Sequence, residues 1–555
     1  MDSPPLTIYN LPPRPPTWNW VGIFYITFCA TWTTIVVTGM AFCWYNRHLP
    51  MLRVRGLPLA FAAVTLLHLY WIMAQITYPI GATMPIVIAY DVQYFVMGTW
   101  FPMGIALFHA SNLRFLRVAK LQRQFAQQDL TKKKAKDGAR SSWTSRLPDM
   151  DYSTKVMAFI VIGMGFQTLL TAGMWVACKK YHPSFGFPGT EIRGATLPEQ
   201  LRDLGIGWEW WPSVVWQFAW TWGVAPVMIW KSWNIRDTMG WRTQTIGACL
   251  SGLHATPMFL IASYAPAFFK VNMYFHPSQW IHLHTMFLES FLIFIPAYQI
   301  IRQWHTTRRV AYSNEKWQTS QATTICAIPR SFQASSSLHL VEKDDVFPSL
   351  SANAQHSNDL LTKTALNRVL ADHPTPLQEF SAYNDFSGEN IAFLTRVAGW
   401  KARCVAGEGD RRDLFNGALR IYVDFVSPRD AAFPLNLSSL LLRELECCFE
   451  AAARVVCGDV CVDTVVPFAL DGPFGDDYAQ SDRTVVCERY VGAVSETFGM
   501  GVFDAAEAHV KDLVLTNTWP KFVREMQLRR QRTEESERSD GSVVSRVRRV
   551  VRSLV

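Results

Sequence analysis

The residues best placed to do chemistry lie in one stretch of the C-terminal half, 385–394, Asp-Phe-Ser-Gly-Glu-Asn-Ile-Ala-Phe-Leu. Ser387 is spaced to cap a helix. Glu389 and Asn390 fall in its first turn, where side-chain oxygens can meet backbone N–H groups that lack partners inside the helix. Ile391 and Leu394 then point inward at helical spacing, and Leu377 and Phe380 share one face of a preceding helix. A second set of polar residues sits inside long apolar runs: His68, Asp91, His109, His254 and Glu289. Ionisable groups are costly in lipid, so they face a bundle interior or a cavity. They mark a ligand pocket or act as structural hydrogen-bond partners, and we favour the second. His282-x-His284 are two residues apart and so do not share a helix face, which disfavours a metal pair. Cys457-x-x-x-Cys461 has no second Cys/His pair at zinc spacing, and it reads as core thiols, as does Cys447-Cys448.

These residues need two kinds of scaffold. Of 22 Trp, 19 precede residue 306 and only Trp317, Trp400 and Trp519 follow it. Trp crowded among apolar runs points to membrane interfaces. Residues 21–45 carry no charge and are long enough to span a bilayer of about 30 Å. Further runs at about 57–77, 86–111, 156–178, 209–230, 246–269 and 279–301 make seven candidate spans. Pro58, Pro102, Pro226, Pro257 and Pro296 would kink them, which is tolerated where neighbours re-satisfy the backbone. Lys and Arg number 21 in the loops after spans one, three, five and seven, against six on the other side. That asymmetry places the N-terminus outside and the C-terminal half in the cytosol. The net charge of +8 therefore reads as topology, and no basic motif interleaved with aromatics suggests a nucleic-acid partner.

Residues 1–20 read as a Pro-rich, unstructured extracellular tail ahead of a seven-span domain over 21–305. A polar stretch, 306–358, reads as a disordered linker. From 359 to 527 the pattern turns amphipathic and helical, so the fold class is all-α. Within it, 467–482 reads as a surface loop. The tail, 528–555, ends in alternating apolar and Arg residues that could form a basic amphipathic helix on anionic lipid.

The core Asp385-Phe386-Ser387-Gly388-Glu389-Asn390-Ile391-Ala392-Phe393 resembles the opening of the regulator-of-G-protein-signalling (RGS) domain. Two later segments extend the resemblance: Pro434-Leu435-Asn436-Leu437-Ser438, and Phe503-Asp504-Ala505-Ala506-Glu507 through Leu513 to Asn517-Thr518-Trp519-Pro520-Lys521-Phe522. Seven spans followed by such a domain resemble fungal receptor-like proteins. The resemblance implies a GTPase activator with no acid, base, nucleophile or cofactor of its own, acting on a GTP-bound Gα subunit that already carries its Arg and water-orienting Gln. It implies that Asn436 would reach into the Gα site. Glu389 and Asn390 would hydrogen-bond its switches, Phe386 would pack beside them, and Leu513, Asn517, Thr518 and Lys521 would complete the face. Asn517 and Lys521 stand where the family usually has Asp and Arg. Lys lacks the bidentate fork of Arg. Receptor motifs of the rhodopsin type are missing at Ala110-Ser111-Asn112-Leu113-Arg114 and at Ile295-Pro296-Ala297-Tyr298.

The expectation is a plasma-membrane, multi-pass regulator of G-protein signalling, whose input would be an extracellular small-molecule ligand. The alternatives are a receptor that activates Gα, or a transporter-like protein with the helical domain as a docking module.

Overall fold

The computed structural model describes residues 6–126, 152–326, 360–431, 433–457 and 490–533. Among them every regular element is a helix, and no strand occurs. They divide into two compact units. The first runs to Leu121 and over the described residues up to Ile300. The second takes in Gln122–Ala126, 301–326 and the described residues from 360 onward.

Five helical stretches are long and apolar enough to cross a membrane: Trp20–Tyr45, Leu57–Thr83, Met157–Ala177 and Trp241–Tyr264 in the first unit, and Gln279–Thr319, which begins there and runs on past Ile300. Phe159, Ile162, Phe166 and Leu169 of the third are exposed, so this helix turns bulky apolar groups outward. Inward, Val64, Leu67, Phe101, Ile105, Leu288 and Ile293 are buried together. Gly104 permits the close approach of Leu67, whose Cγ would stand 2.6 Å from a Cβ at that position. The two other expected spans coincide with helices outside these five. One is Ile86–Gln122, with Pro102 inside it. The other is broken into Trp211–Phe218, a π-turn over Ala219–Val224 and Ala225–Trp233.

The N-terminal tail differs from expectation. Ile8 is buried with Cys178, Tyr181 and Leu204, and Tyr9 donates its hydroxyl to the Lys180 carbonyl at 2.9 Å. An apolar residue and a phenol in the Pro-rich stretch are enough to dock it. The loop it meets is ordered by the Leu197–Gly205 helix, whose start is closed by a capping box of Thr196 and Glu199.

In the second unit, the helices Lys363–Asp372, Pro374–Tyr383, Gly388–Ala406, Arg411–Phe425, Ser439–Cys457 and Asp504–Leu513 surround an aromatic core. Phe393, Trp400, Phe415, Tyr422, Phe449 and Phe503 are all buried. Phe449 stacks on Phe503 at 5.7 Å between ring centroids, and Trp400 meets Phe503 edge-on at 5.6 Å. Leu377, Phe380, Ile391 and Leu394 point into this core, as their spacing requires. Asp410 caps the fourth of these helices through the Asp413 amide.

The expected linker is helical where it begins. The helix Gln279–Cys326 continues into it, and Val310 is buried in the second unit's core. Asn314 fixes it there: its amide donates to the Leu361 carbonyl at 3.1 Å, and its side-chain oxygen accepts from the Lys363 amide at 2.9 Å. Polar composition hid a helix that needs one apolar contact and one bridging amide to dock. The rest of that stretch, the 467–482 loop, Cys461 and residues 534–555 of the basic tail lie outside the described residues; 528–533 are helical. Cys448 is buried as expected of a core thiol, whereas Cys447 is exposed.

Candidate functional site

The site is built around a buried carboxylate, Asp385, in the break between the Pro374–Tyr383 and Gly388–Ala406 helices. It is fully buried and must be met by donors, since an unpaired buried charge is prohibitive. Lys521 supplies an ammonium at 2.7 Å from Oδ1. Thr518 donates to Oδ2 at 2.8 Å, Ser387 at 3.1 Å and Asn517 at 3.4 Å. Lys521 also donates to the Asn517 side-chain oxygen at 2.8 Å. Asn517 and Thr518 can turn toward Asp385 because the chain leaves the Asp504–Leu513 helix through a π-turn, Val514–Thr518. Such a turn displaces side chains from the regular helical rows and often marks a functional position. The same helix is fastened to Gly388–Ala406 by Lys401, which donates to Asp504 and to Glu507. Burial pushes the Glu507 carboxyl up, but Lys401 and Lys511 outweigh it and hold the group below its ordinary value. Lys401 is correspondingly raised, the pull of both carboxylates exceeding its own burial cost.

Ser387 stands at the cap position, but its hydroxyl serves Asp385 and Thr518 and makes no capping bond. The first helical amide, that of Gly388, instead donates to the Gln122 side-chain oxygen at 3.0 Å. Gln122 also donates from Nε2 to Glu389 at 2.9 Å. Gly388 is required by this approach, because a Cβ there would stand 2.8 Å from the Cβ of Phe125 and 3.0 Å from the Gln122 oxygen.

The eight expected contact residues therefore divide. Glu389, Asn390, Asn436 and Leu513 are half-buried and reach the surface. Asn517, Thr518 and Lys521 are drawn to Asp385, so they order the corner rather than offer free polar groups. Phe386 is 2% exposed and lies beneath the surface, so it is not a contact side chain. Its φ of 48° is uncommon for a residue with a side chain and is held by the surrounding packing. The Asn390 side-chain oxygen is buried and finds no donor among the described residues. Native proteins rarely leave such an acceptor unmet, which makes this one a candidate for an incoming donor. Asn436 precedes the Ser439–Cys457 helix, and its backbone carbonyl accepts from His509 Nε2 at 3.0 Å. That bond ties the Asn436 loop to the helix that leads into the π-turn.

Sequence reading missed Asp385 as the hub, although it stands in the motif, because a carboxylate in a polar break reads as solvated. It also missed Gln122, 266 residues before Gly388. No local signal marks that pairing.

In the first unit, Glu289 is buried and accepts from Trp32 Nε1 at 2.6 Å and pairs with His68 Nδ1 at 2.9 Å. Asp91 accepts from Trp175 at 2.8 Å, and His109 stacks on Trp220. For His68, Asp91 and Glu289 these are hydrogen-bond partners of the structural kind favoured, whereas His109 Nδ1 finds no hydrogen-bond partner among the described residues. His254 finds no such partner for its Nε2 among the described residues. His282 packs on Tyr70 and His284 faces Ser251, so the two do not converge. A cavity of about 40 Å³ beside Tyr70, Gln93, Trp210 and His282 has room for water rather than for a drug-sized molecule.

No family model matches the chain, and neither a curated protein nor a solved structure is similar to it.

Proposed function

We propose that the chain is a membrane-anchored regulator of heterotrimeric G-protein signalling, whose second unit accelerates GTP hydrolysis by a Gα subunit. The observation that carries this reading is the meeting, around Asp385, of two sequence segments that resemble the Gα-binding loops of RGS domains. Ser387 with Glu389 and Asn390 comes from one segment, and Asn517, Thr518 and Lys521 come from another more than a hundred residues later. The third such segment, with Asn436, is bonded to the helix that carries the second.

Phosphoryl transfer needs positioning and charge stabilisation more than new chemistry. A rigid corner that fits the transition-state arrangement of the Gα switches better than their ground state lowers the barrier without any acid or base. Asn436 would hold the Gα glutamine and its water, while Glu389 and Asn390 would bond the switch backbone. The Asp385 network would preset the loop geometry, so that little ordering entropy is lost on binding. The five apolar helices, together with Ile86–Gln122 and the 211–233 segment, would form the seven spans. With the N-terminus outside, they would keep the second unit at the inner leaflet beside lipidated Gα, raising its effective concentration.

The test is single-turnover GTP hydrolysis by candidate Gα subunits with the full chain in phospholipid nanodiscs. Wild type accelerates at least one Gα, and Asn436→Ala removes about 10²-fold or more of that acceleration, the size seen when one transition-state contact is deleted. A folded chain that accelerates no Gα overturns the reading.

A further inference from the structure

The segment Gln122–Ala126 belongs to the second unit and lies on the corner just described. Gln122 is fully buried there, between the Gly388 amide and the Glu389 carboxylate. Phe125 reaches the other side: its ring packs edge-on against Phe433 at 5.7 Å and lies 6.5 Å from Phe425. Phe433 is three residues before Asn436. One short segment thus spans two of the three loops assigned to Gα binding, and it engages Glu389 with a hydrogen bond to a charged acceptor, among the stronger kinds.

We propose that Gln122–Ala126 is an intrachain competitor of Gα: a plug that covers the Glu389 corner and must leave before a Gα switch can dock. This rests on the Gα reading above. Gln122 is also the last residue of the Ile86–Gln122 helix, so the plug is covalently continuous with an expected span. A ligand whose competent state is only a small fraction of the population binds more weakly by that fraction.

The experiment compares wild type with Gln122→Glu, using the full chain in nanodiscs. The substitution keeps size and the acceptor for Gly388, but replaces the donor to Glu389 with a like charge. The probe is an inhibitory-class Gα subunit loaded with GDP and aluminium fluoride. Amide exchange at 388–391 is read in parallel. The expected result is faster exchange at 388–391 and Gα binding about tenfold tighter than wild type, for a plug closed about ten times in eleven. Asn436→Ala in the same background abolishes the gain. Phe125→Ala, which leaves the charges alone, moves both readouts in the same direction. Faster exchange with unchanged Gα affinity overturns the proposal, because the segment then leaves without uncovering anything. Unchanged exchange overturns it at the docking step. If neither chain binds Gα although exchange rises, the Gα reading fails and the plug's role falls with it.

Discussion

Glu289 in the first unit and Asp385 in the second are both completely buried carboxylates, and the two are met differently. Glu289 in the apolar helices is met by the indole N–H of Trp32 and a ring nitrogen of His68, whose other nitrogen lies 3.1 Å from the Thr33 hydroxyl. Asp385 in the second unit is met by an ammonium, two hydroxyls and an amide. The Glu289 donors are aromatic rings fixed by packing, on helices that would face lipid. The Asp385 donors come from a loop, a π-turn and the helical turn after it, where Lys521 keeps its side chain 14% exposed. The first arrangement holds helices together where water cannot compensate. The second holds two loops in register at a surface, where a partner can be read. A buried charge is weak evidence for stability.

Breaking the second cluster should cost most. Asp385→Ala leaves Lys521 with no carboxylate and should destabilise the second unit by about 3–5 kcal/mol. It would be measured by amide exchange in Gly388–Ala406 and accompanied by loss of Gα acceleration. Glu289→Ala strands the Trp32 and His68 donors and should cost about 1–3 kcal/mol. That loss should be seen in exchange across the first unit, with Gα acceleration by the second unchanged; a change there would show that the clusters are coupled. Thr518→Ala removes a single donor and should cost about 1 kcal/mol in the second unit. Its larger effect should be on the rate, because the 385–390 loop loses its tie to the π-turn. The smallest effect concerns pH. The Glu507 carboxyl is held below its ordinary value of 4.5 in the folded chain. The stability it contributes is present above that value and is lost as pH falls through the lower, folded one. Glu507→Gln should therefore flatten the acid limb of the second unit's stability curve by less than about 1 kcal/mol, since the pair is partly solvated. An unaltered acid limb would show that Lys401 contributes nothing through charge.

Apolar periodicity made the helices legible. Leu377, Phe380, Ile391 and Leu394 are buried as their spacing demands, and long uncharged runs mark the apolar helices without reference to partners. Where polar side chains settle was less legible. Ser387 has the type and place of an N-cap, yet a nearer carboxylate claims its hydroxyl and a glutamine from far upstream takes over the cap. Phe386 sits in a polar break, yet a positive φ turns it beneath the surface. Val310 and Asn314 are single residues in a polar stretch, and their docking depends on tertiary neighbours that no local pattern shows. Motif spacing located the corner, and long-range polar competition decided which of its residues face outward.

The most direct measurement is equilibrium binding of the full chain in nanodiscs to one Gα in two states, GDP alone and GDP with aluminium fluoride. A corner shaped for the transition state should bind the fluoride-loaded form at least tenfold tighter, a difference of about 1.4 kcal/mol. Asn436→Ala should erase that preference. Equal affinity for the two states, from a chain whose Gly388–Ala406 amides remain protected, would contradict the account and leave the second unit a docking module.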